Sequence, residues 1–319
     1  MNTHEWPLTL FTVFGQMAVG AFLVLGAVQV LGRKKYSTAV IDRVADPALY
    51  AIGPIMVAGF LAASFHLGNP FNALNVLRGW SNSALSQEVI LGVIFAGLGF
   101  LFAACQWLGW LTQRIRVVLA SLTALVGVVF VASMANLYML PTIPAWNHWT
   151  TPAQFYLTTL STGALAIGVA FCSYPFLADA PWLNRLMPAN RRDEHVSEEE
   201  VSGLITTSLK WIGVAVVILM PLELLVLVFY YGRPAGVNPT EFDFPMAWFV
   251  IRVALLIIGA GLMGVFLVQS ATKAEADSGV RTPAQRRLLL MVTLSYLLVS
   301  ASAIIGRFIF YGGSDRIGI

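Results

Sequence analysis

The chain has 319 residues, of which 58% are hydrophobic and only 11% are charged, with a formal net charge of +3. Soluble domains carry about 25% charged residues, so this composition excludes a water-soluble globular protein and predicts a single polytopic membrane domain over residues 1–319. Cys105 and Cys172 lie far apart in apolar runs. This placement is typical of small buried side chains, and no cysteine or histidine spacing indicates a metal site.

Eight apolar runs are long enough to cross the hydrocarbon core of a bilayer, which takes about 20 residues. In chain order they predict transmembrane helices at residues 8–31, 48–67, 86–110, 115–139, 152–178, 208–231, 247–270 and 287–311. The first run is too long for the apolar part of a signal peptide and is interpreted as a retained helix. Runs of this length exclude a β-barrel. The predicted fold class is an all-α bundle of eight transmembrane helices.

Lysine and arginine concentrate in every second loop. The loops after helices 1, 3, 5 and 7 carry 14 of them, whereas the opposite side carries three, which are Arg78, Arg233 and Arg316. Basic loops stay on the cytoplasmic side of a membrane. The charge pattern therefore predicts that both termini, and the loop between helices 2 and 3, lie outside the cytoplasm.

Ionisable side chains at the edge of a membrane span are costly and are therefore functional candidates. His66 closes the second apolar run and Glu88 opens the third. Because the end of one helix and the start of the next lie at the same membrane face, we expect the two side chains to adjoin one pocket. Each also has a structural explanation, since the helix dipole favours both positions and Ser86 can cap the third helix.

The two groups suit the oxidation of a hydroquinone. A hydroquinone releases two protons with its two electrons, so it needs a proton acceptor within hydrogen-bond reach in a partly apolar interfacial pocket. Histidine titrates in the required range, and a nearby carboxylate can orient it or pass the proton on. The sequence therefore predicts a quinol site at His66 and Glu88.

Three further ionisable groups lie within predicted helices. Glu223 follows Pro221 in the sixth helix, Arg252 lies near the outer start of the seventh, and Arg307 lies near the outer end of the eighth. Glu223 and Arg307 are secondary candidates for shaping the pocket. The alternatives are a carboxylate paired to another helix or held protonated, and arginines whose charged ends reach the membrane interface.

Four other residues complete the candidate set. Gln16 and Tyr138 can donate hydrogen bonds to a ligand, although such groups more often bridge helices. Gly68 and Arg78 belong to the loop that follows His66. Tryptophans predicted at the outer boundary fit an aromatic belt that can also dock a peripheral partner. They are Trp80, Trp146, Trp149 and Trp248.

Two kinds of site are missing from the sequence. A haem held between helices needs two facing histidines, but His66 alone is near a span, while His4, His148 and His195 lie in other segments. The chain also has no P-loop, nucleophile elbow or HExxH motif. We therefore expect no haem or metal of its own, and any redox step uses cofactors held elsewhere.

Short stretches spread along the chain carry a family resemblance. They are residues 4–8 (HEWPL), 11–16 (FTVFGQ), 66–70 (HLGNP), 83–86 (SALS) with Glu88, 127–131 (GVVFV), Tyr138 with Pro144 and Trp146, Thr151 with Pro152, and 306–307 with 310–312. On these residues the chain resembles the membrane-anchor subunit of the bacterial dimethyl sulfoxide reductase family, most closely over residues 4–160. Family members often have a basic residue where this chain has Asn72, and Arg78 is the candidate to replace it.

The resemblance implies an eight-helix anchor in the bacterial inner membrane with both ends periplasmic. It implies menaquinol bound as a substrate, with His66 as the quinol-site histidine and Glu88 as the important glutamate. Electrons would pass to a ferredoxin-like iron–sulfur subunit and then to a molybdenum catalytic subunit on the outer face. Iron–sulfur clusters and molybdenum cofactor would belong to those partners, so the chain would not catalyse the terminal reduction.

Membrane lipids are the other expected partner, and no nucleic acid is expected. Two alternatives from other classes stay open. One is a purely structural anchor whose partner holds the quinol. The other is a small-molecule or ion transporter, which needs paired charges in the middle of the bilayer or broken helices in matching halves. The Pro221–Glu223 stretch is the single hint of that class.

Overall fold

The computed structural model describes residues 6–66, 76–177, 196–234, 246–274 and 281–312, without the side chains of residues 51 and 63–66. These residues form eight helices and no strand. The helices are α1 Trp6–Gly32, α2 Thr38–His66, α3 Ala84–Trp107, α4 Gln113–Tyr138, α5 Thr150–Leu177, α6 Glu198–Tyr231, α7 Met246–Ala274 and α8 Pro283–Gly312. All eight are long and apolar enough to cross a membrane. The expected all-α fold with eight spans is confirmed.

Two helices begin well before their apolar runs. α2 begins at Thr38 and α6 at Glu198, whereas their apolar runs begin at residues 48 and 208. The added turns carry charged residues, including Asp42 and Asp46 in α2. Hydropathy falls where charged residues begin, so it marks the edge of the apolar span. The backbone hydrogen bonds continue past that edge, because they do not depend on apolar side chains. The glutamates at the start of α6 also suit the positive end of the helix dipole.

The centre of the bundle is the contact between α1 and α5. The two helices cross where Gly20 faces Gly163, and a side chain at either position would overlap the backbone of the other helix. Small residues let helix backbones approach closely in a membrane, where packing replaces the hydrophobic effect as the driving force. Around this pair, α2 and α4 pack on α1, while α6 and α8 pack on α5. α3 lies against α4, and α7 packs on α6 and α8.

Consecutive helices run in opposite directions, so each end of the bundle brings together the starts of some helices and the ends of others. At one end, which we call the tyrosine end, Tyr138 of α4 and Tyr311 of α8 approach the first turns of α1. At the other, which we call the basic end, the turn after α1 carries Arg33, Lys34 and Lys35. The Arg33 guanidinium donates a hydrogen bond of 3.1 Å to the Gln113 carbonyl, which ties this turn to the start of α4.

A buried polar network joins three helices at the basic end. The Gln106 amide donates to Asp42 Oδ1 at 2.9 Å and to Asp46 Oδ1 at 3.0 Å. Arg116 donates to Gln106 Oε1 and to Asp42 Oδ2, both at 3.0 Å, so it forms an ion pair with Asp42. We call these four residues the basic-end network. It connects the charged first turns of α2 to the α3–α4 hairpin, which otherwise contacts α2 sparsely.

Candidate functional site

A row of three hydroxyl groups lies at the tyrosine end. Thr12 Oγ1 of α1 lies 2.7 Å from the Tyr311 hydroxyl, which donates a hydrogen bond of 3.1 Å to the Tyr138 hydroxyl. All three side chains are buried. Tyr311 had no place among the sequence-based candidates. The signal for it was its position four residues after Arg307, which puts both side chains on one face of α8.

Glu88 lies next to this row. It belongs to the first turns of α3 and is 4% exposed, and its carboxylate is close enough to Tyr138 and Tyr311 to interact with both electrostatically. No described side chain donates a hydrogen bond to this carboxylate. The cap of α3 is Ser83, whose hydroxyl accepts from the Ser86 backbone N–H at 3.3 Å. The expectation that Ser86 caps this helix was wrong, because the helix begins earlier, at Ala84.

Arg307 is turned into the bundle. It is 5% exposed, donates a hydrogen bond of 3.1 Å to Gln16 Oε1, and places its guanidinium carbon 3.9 Å from the centre of the Phe155 ring. A guanidinium over an aromatic face is stabilised by the ring quadrupole. The alternative of an arginine that reaches the membrane interface is wrong for Arg307. The Gln16 amide nitrogen finds no hydrogen-bond partner among the described residues.

Glu223 and Arg252 form a buried ion pair. Arg252 lies 3.7 Å from the Glu223 carboxylate, and both side chains are almost inaccessible to solvent. The guanidinium fits against α8 because residue 306 is glycine, where any side chain would overlap it. For Glu223 the alternative of pairing to another helix is therefore confirmed. Arg252 does not reach the interface either, and within the described part of the chain its Nε has no partner.

The helix that carries Arg252 is irregular. Residues Ile257–Leu262 of α7 form a π-helical turn, and the Gly259 carbonyl accepts a hydrogen bond of 2.7 Å from the Ser295 hydroxyl of α8. The Arg252 carbonyl accepts one of 2.9 Å from Ser302. A π turn leaves carbonyl groups short of helical partners, and such turns are frequent at functional sites. Here the serines of α8 fix α7 at the height that places Arg252 beside Glu223.

Aromatic side chains cover the cluster from the solvent side. The Trp146 ring stacks on Phe310, with ring centres 5.3 Å apart, and its indole N–H donates to the Phe310 carbonyl at 2.8 Å. Tyr138 packs edge-on against both rings. Trp146 was predicted as a member of an outer aromatic belt, but it is half-buried and forms a wall of the cluster.

The loop that carries Trp146 is held by one arginine. Arg233, just after α6, donates to the carbonyls of Pro144 and Ala145 at 3.1 and 2.6 Å. Burial lowers the pKa of Arg233 from its ordinary value. In the same loop, His148 Nδ1 lies 2.8 Å from the Thr150 hydroxyl. Burial, and then the neighbouring Arg233 charge, lower the pKa of His148.

Several sequence candidates therefore meet in one place. We define the tyrosine-end cluster as Thr12, Gln16, Glu88, Tyr138, Glu223, Arg252, Arg307 and Tyr311. His66 ends α2, but its side chain lies outside the described part, as does Gly68 entirely. Arg78 is exposed on the turn of residues 76–79.

The cluster combines buried acids, buried cations and hydroxyls within aromatic walls. It offers hydrogen-bond donors to a ligand oxygen and a carboxylate that can accept a proton. Within the described ranges, no three His, Cys, Asp or Glu side chains are grouped to hold a metal ion.

The sequence matches known proteins along its whole length. The family model described as DMSO reductase anchor subunit (DmsC) matches residues 1–186. The corresponding polypeptide of the anaerobic dimethyl sulfoxide reductase of Escherichia coli is 29% identical over 319 residues, which cover 99% of this chain and 97% of the relative. Its namesake from Haemophilus influenzae is 35% identical over 165 residues, covering 51% and 58%.

A further relative has a different name. It is a subunit of the sulfite dehydrogenase of Allochromatium vinosum and is 30% identical over 141 residues, covering 39% of this chain and 43% of the relative. The family match spans more than half of the sequence and agrees with the eight apolar helices. The chain therefore belongs to the dimethyl sulfoxide reductase anchor-subunit family and is an integral membrane protein.

Proposed function

We propose that this chain is the quinol-oxidising anchor subunit of a reductase complex, with menaquinol as its substrate. The observation that carries the proposal is Glu88, a buried carboxylate without a described hydrogen-bond donor, within electrostatic range of Tyr138 and Tyr311. A carboxylate left in this state is suited to take a proton from a bound group. A buried acid that served stability alone would be expected to have its partners satisfied.

His66 and Glu88 are the proposed proton acceptors. Oxidation removes two protons and two electrons from the hydroquinone, so two proton acceptors near one ring match the two protons released. The protons go to His66 and Glu88 and leave through the face to which both helix ends belong. The electrons pass to the docked iron–sulfur subunit.

The rest of the cluster would bind and orient the ring. The Gln16 amide nitrogen, which lacks a described partner, can donate to a quinone oxygen while its carbonyl oxygen is held by Arg307. The aromatic walls supply the apolar surroundings that a lipid-borne ring needs. Behind the aromatic residues, Glu223 and Arg252 neutralise each other's charge in their ion pair.

The complex is proposed to face the periplasm. The basic end lies in the cytoplasm, because it carries most of the lysines and arginines, and both termini lie at the periplasmic side. The iron–sulfur subunit and the molybdenum catalytic subunit dock at the tyrosine end. The Escherichia coli relative is named as one polypeptide of an anaerobic dimethyl sulfoxide reductase, which fits an anchor that works with partner subunits.

A second candidate function is the same site working in reverse. The Allochromatium vinosum relative is named as a subunit of a dehydrogenase, and a dehydrogenase removes electrons from its substrate, which a quinone bound at this site can accept. In that case Glu88 and His66 donate the two protons that the quinone takes up. Measuring quinol oxidation and quinone reduction with the same purified complex decides between the two directions.

The test uses the assembled complex in membranes. His66→Ala is expected to abolish electron transfer from a menaquinol analogue to the terminal acceptor, while an artificial donor that reduces the partner subunits directly still supports turnover. A fluorescent quinone analogue should lose its quenching in the same variant. Glu199→Gln, an exposed change at the start of α6, is the control and should behave as wild type.

Each result bears on one alternative. Normal quinol turnover in His66→Ala contradicts the proposed role of the histidine. Quenching of the quinone analogue by the assembled complex but not by the isolated chain favours a structural anchor whose partner holds the quinol. Uptake of a solute by the protein in liposomes favours a transporter.

A further inference from the structure

An open groove lies between α1 and α6 at the basic end of the bundle, far from the tyrosine-end cluster. Its volume is about 400 Å³, which is within the range of ligand pockets, roughly 300–1,000 Å³. The α1 side consists of Val24, Val28 and Leu31, and Ala164 of α5 forms the floor. The groove opens on the outer surface of the bundle, where Leu31 is 63% exposed. We call it the α1–α6 groove.

The end of the groove nearest the basic surface is polar. Lys35 and Tyr36 line it from the turn after α1, and Thr207 and Ser208 line it from α6. The Lys35 ammonium lies 5.4 Å from the centre of the Tyr36 ring, so it stands over the aromatic face at the mouth of the groove. One cation and three hydroxyl groups therefore meet at the end of an apolar channel.

Aromatic and charged neighbours fit a membrane interface. Trp211 forms part of the groove wall and is 68% exposed, as tryptophan often is where a helix passes the headgroup layer. Lys34 and Lys210 flank the groove in sequence and strengthen the positive potential. None of the glutamates at residues 198–200 lines the groove; they lie one turn or more beyond Leu204, the lining residue nearest the start of α6.

We propose that the α1–α6 groove binds an anionic phospholipid of the leaflet at the basic end. The lipid phosphate lies at the Lys35 ammonium and accepts hydrogen bonds from Thr207 and Ser208. One acyl chain runs along Val24 and Val28 toward the middle of the bundle.

The shape and the charge of the groove select this ligand. A free phosphate ion would use the polar end and leave the apolar length empty, whereas a hydrocarbon tail alone would leave Lys35 without a counter-charge. A zwitterionic phospholipid fills both parts but has no net charge to match. The inference does not depend on the quinol proposal, because no residue is shared between the two sites.

The test is native mass spectrometry of the purified complex exchanged into an equimolar mixture of phosphatidylglycerol and phosphatidylcholine. The wild-type complex is expected to retain phosphatidylglycerol in preference. Lys35→Gln should reduce that preference about fivefold, since one lysine near a membrane surface contributes about that factor to anionic lipid binding. Lys34→Gln removes the same charge next to the groove without lining it, and should reduce the preference clearly less than Lys35→Gln does.

A second variant tests the apolar length without touching the charge. Ala27 lines the groove and is exposed, so Ala27→Phe fills the channel without disturbing the core and should remove the retained lipid. Val30→Phe, on an exposed face outside the groove, is its control. The inference is overturned if wild type shows no anionic preference, if Lys35→Gln equals Lys34→Gln, or if Ala27→Phe retains as much lipid as Val30→Phe.

Discussion

The two ends of the bundle both bury charged groups, but they do so differently. In the basic-end network, Arg116, Gln106 and Asp42 form hydrogen bonds of 2.9–3.0 Å with one another, and Arg116 Nε is the one fully buried polar atom of the four side chains without a hydrogen-bond partner in the described ranges. At the tyrosine end the Glu223–Arg252 contact is longer, at 3.7 Å. Polar atoms of Gln16 and Arg252 lack described partners there.

This difference separates a structural network from a candidate site. Groups that satisfy one another in the folded protein have nothing left to offer a ligand. Groups that are buried and incompletely bonded cost free energy in the empty protein and recover it when a ligand completes their bonds. We therefore expect substitutions at the basic end to change stability, and substitutions at the tyrosine end to change quinol turnover.

The largest effect on stability is expected from Arg116→Met at the basic end. It leaves the Asp42 carboxylate buried without its cation, which costs about 3–5 kcal/mol. The yield of assembled complex and its thermal midpoint should fall, while turnover per assembled complex stays the same. Arg114→Met, an exposed arginine two residues away, is the matched control and should assemble normally. A loss of quinol turnover at normal stability in Arg116→Met would contradict a structural role for the basic-end network.

Arg307→Gln comes next and tests the tyrosine end. The change removes a buried guanidinium that holds Gln16 and packs on Phe155, and cation–π contacts of this kind contribute about 2 kcal/mol when desolvated. We expect quinol turnover to fall by roughly tenfold or more, with assembly retained. Turnover with a donor that bypasses the anchor should not change. Equal losses with both donors would show that Arg307 acts on assembly alone.

Tyr311→Phe should have a smaller effect. It removes the middle hydroxyl of the row formed with Thr12 and Tyr138, and leaving a buried hydroxyl unsatisfied costs about 1–3 kcal/mol. Quinol turnover is expected to fall several-fold. Tyr296→Phe removes a hydroxyl of the same helix that lies 3.3 Å from the sulfur of Met17, and should leave turnover near wild type. If both variants lose turnover equally, the hydroxyl row has no special role.

The smallest effect is expected on the pH dependence of the stability of the loop that carries Trp146 and His148. His148 has a lowered pKa in the folded protein, so the unfolded loop binds the proton more readily. The contribution of His148 to the stability of the loop is therefore fully present above the ordinary pKa of 6.5 and is lost as the pH falls below that value toward the folded pKa. The protection factors of residues 139–149, which are corrected for the intrinsic pH dependence of amide exchange, should fall as the pH is lowered from 7.5 to about 5.5. His148→Gln should flatten this dependence, and an unchanged profile would contradict it.

Much of the fold was predictable because the hydrocarbon layer sets the length of each span. The eight apolar runs located all eight long helices of the described residues, but they missed the charged first turns of α2 and α6, where helix formation no longer follows hydropathy. The π turn of α7 was not predicted either. It is held by Ser295 of another helix, and a contact between two helices leaves no pattern in the local sequence of α7.

Several polar groups that the sequence singled out lie in the tyrosine-end cluster, but their pairings were not predictable. Gln16, Tyr138, Glu223 and Arg307 stood out as polar groups in apolar runs. However, Arg307 donates a hydrogen bond to a residue 291 positions away, and contacts so distant in sequence leave no pattern. Tyr311 was missed as a cluster member and Trp146 as a wall of the cluster, because aromatic residues at helix ends are expected at any membrane interface. The roles of His66 and Gly68 stay predictions.

The central claim is that Glu88 takes a proton from the quinol, and Glu88→Gln in the assembled complex tests it most directly. Glutamine keeps the size of the side chain and removes its basicity. The account predicts that the rate of quinol-dependent reduction falls by about 10²–10⁴-fold, while the rate with a donor that bypasses the anchor stays at the wild-type value. Wild-type rates with both donors would contradict the account.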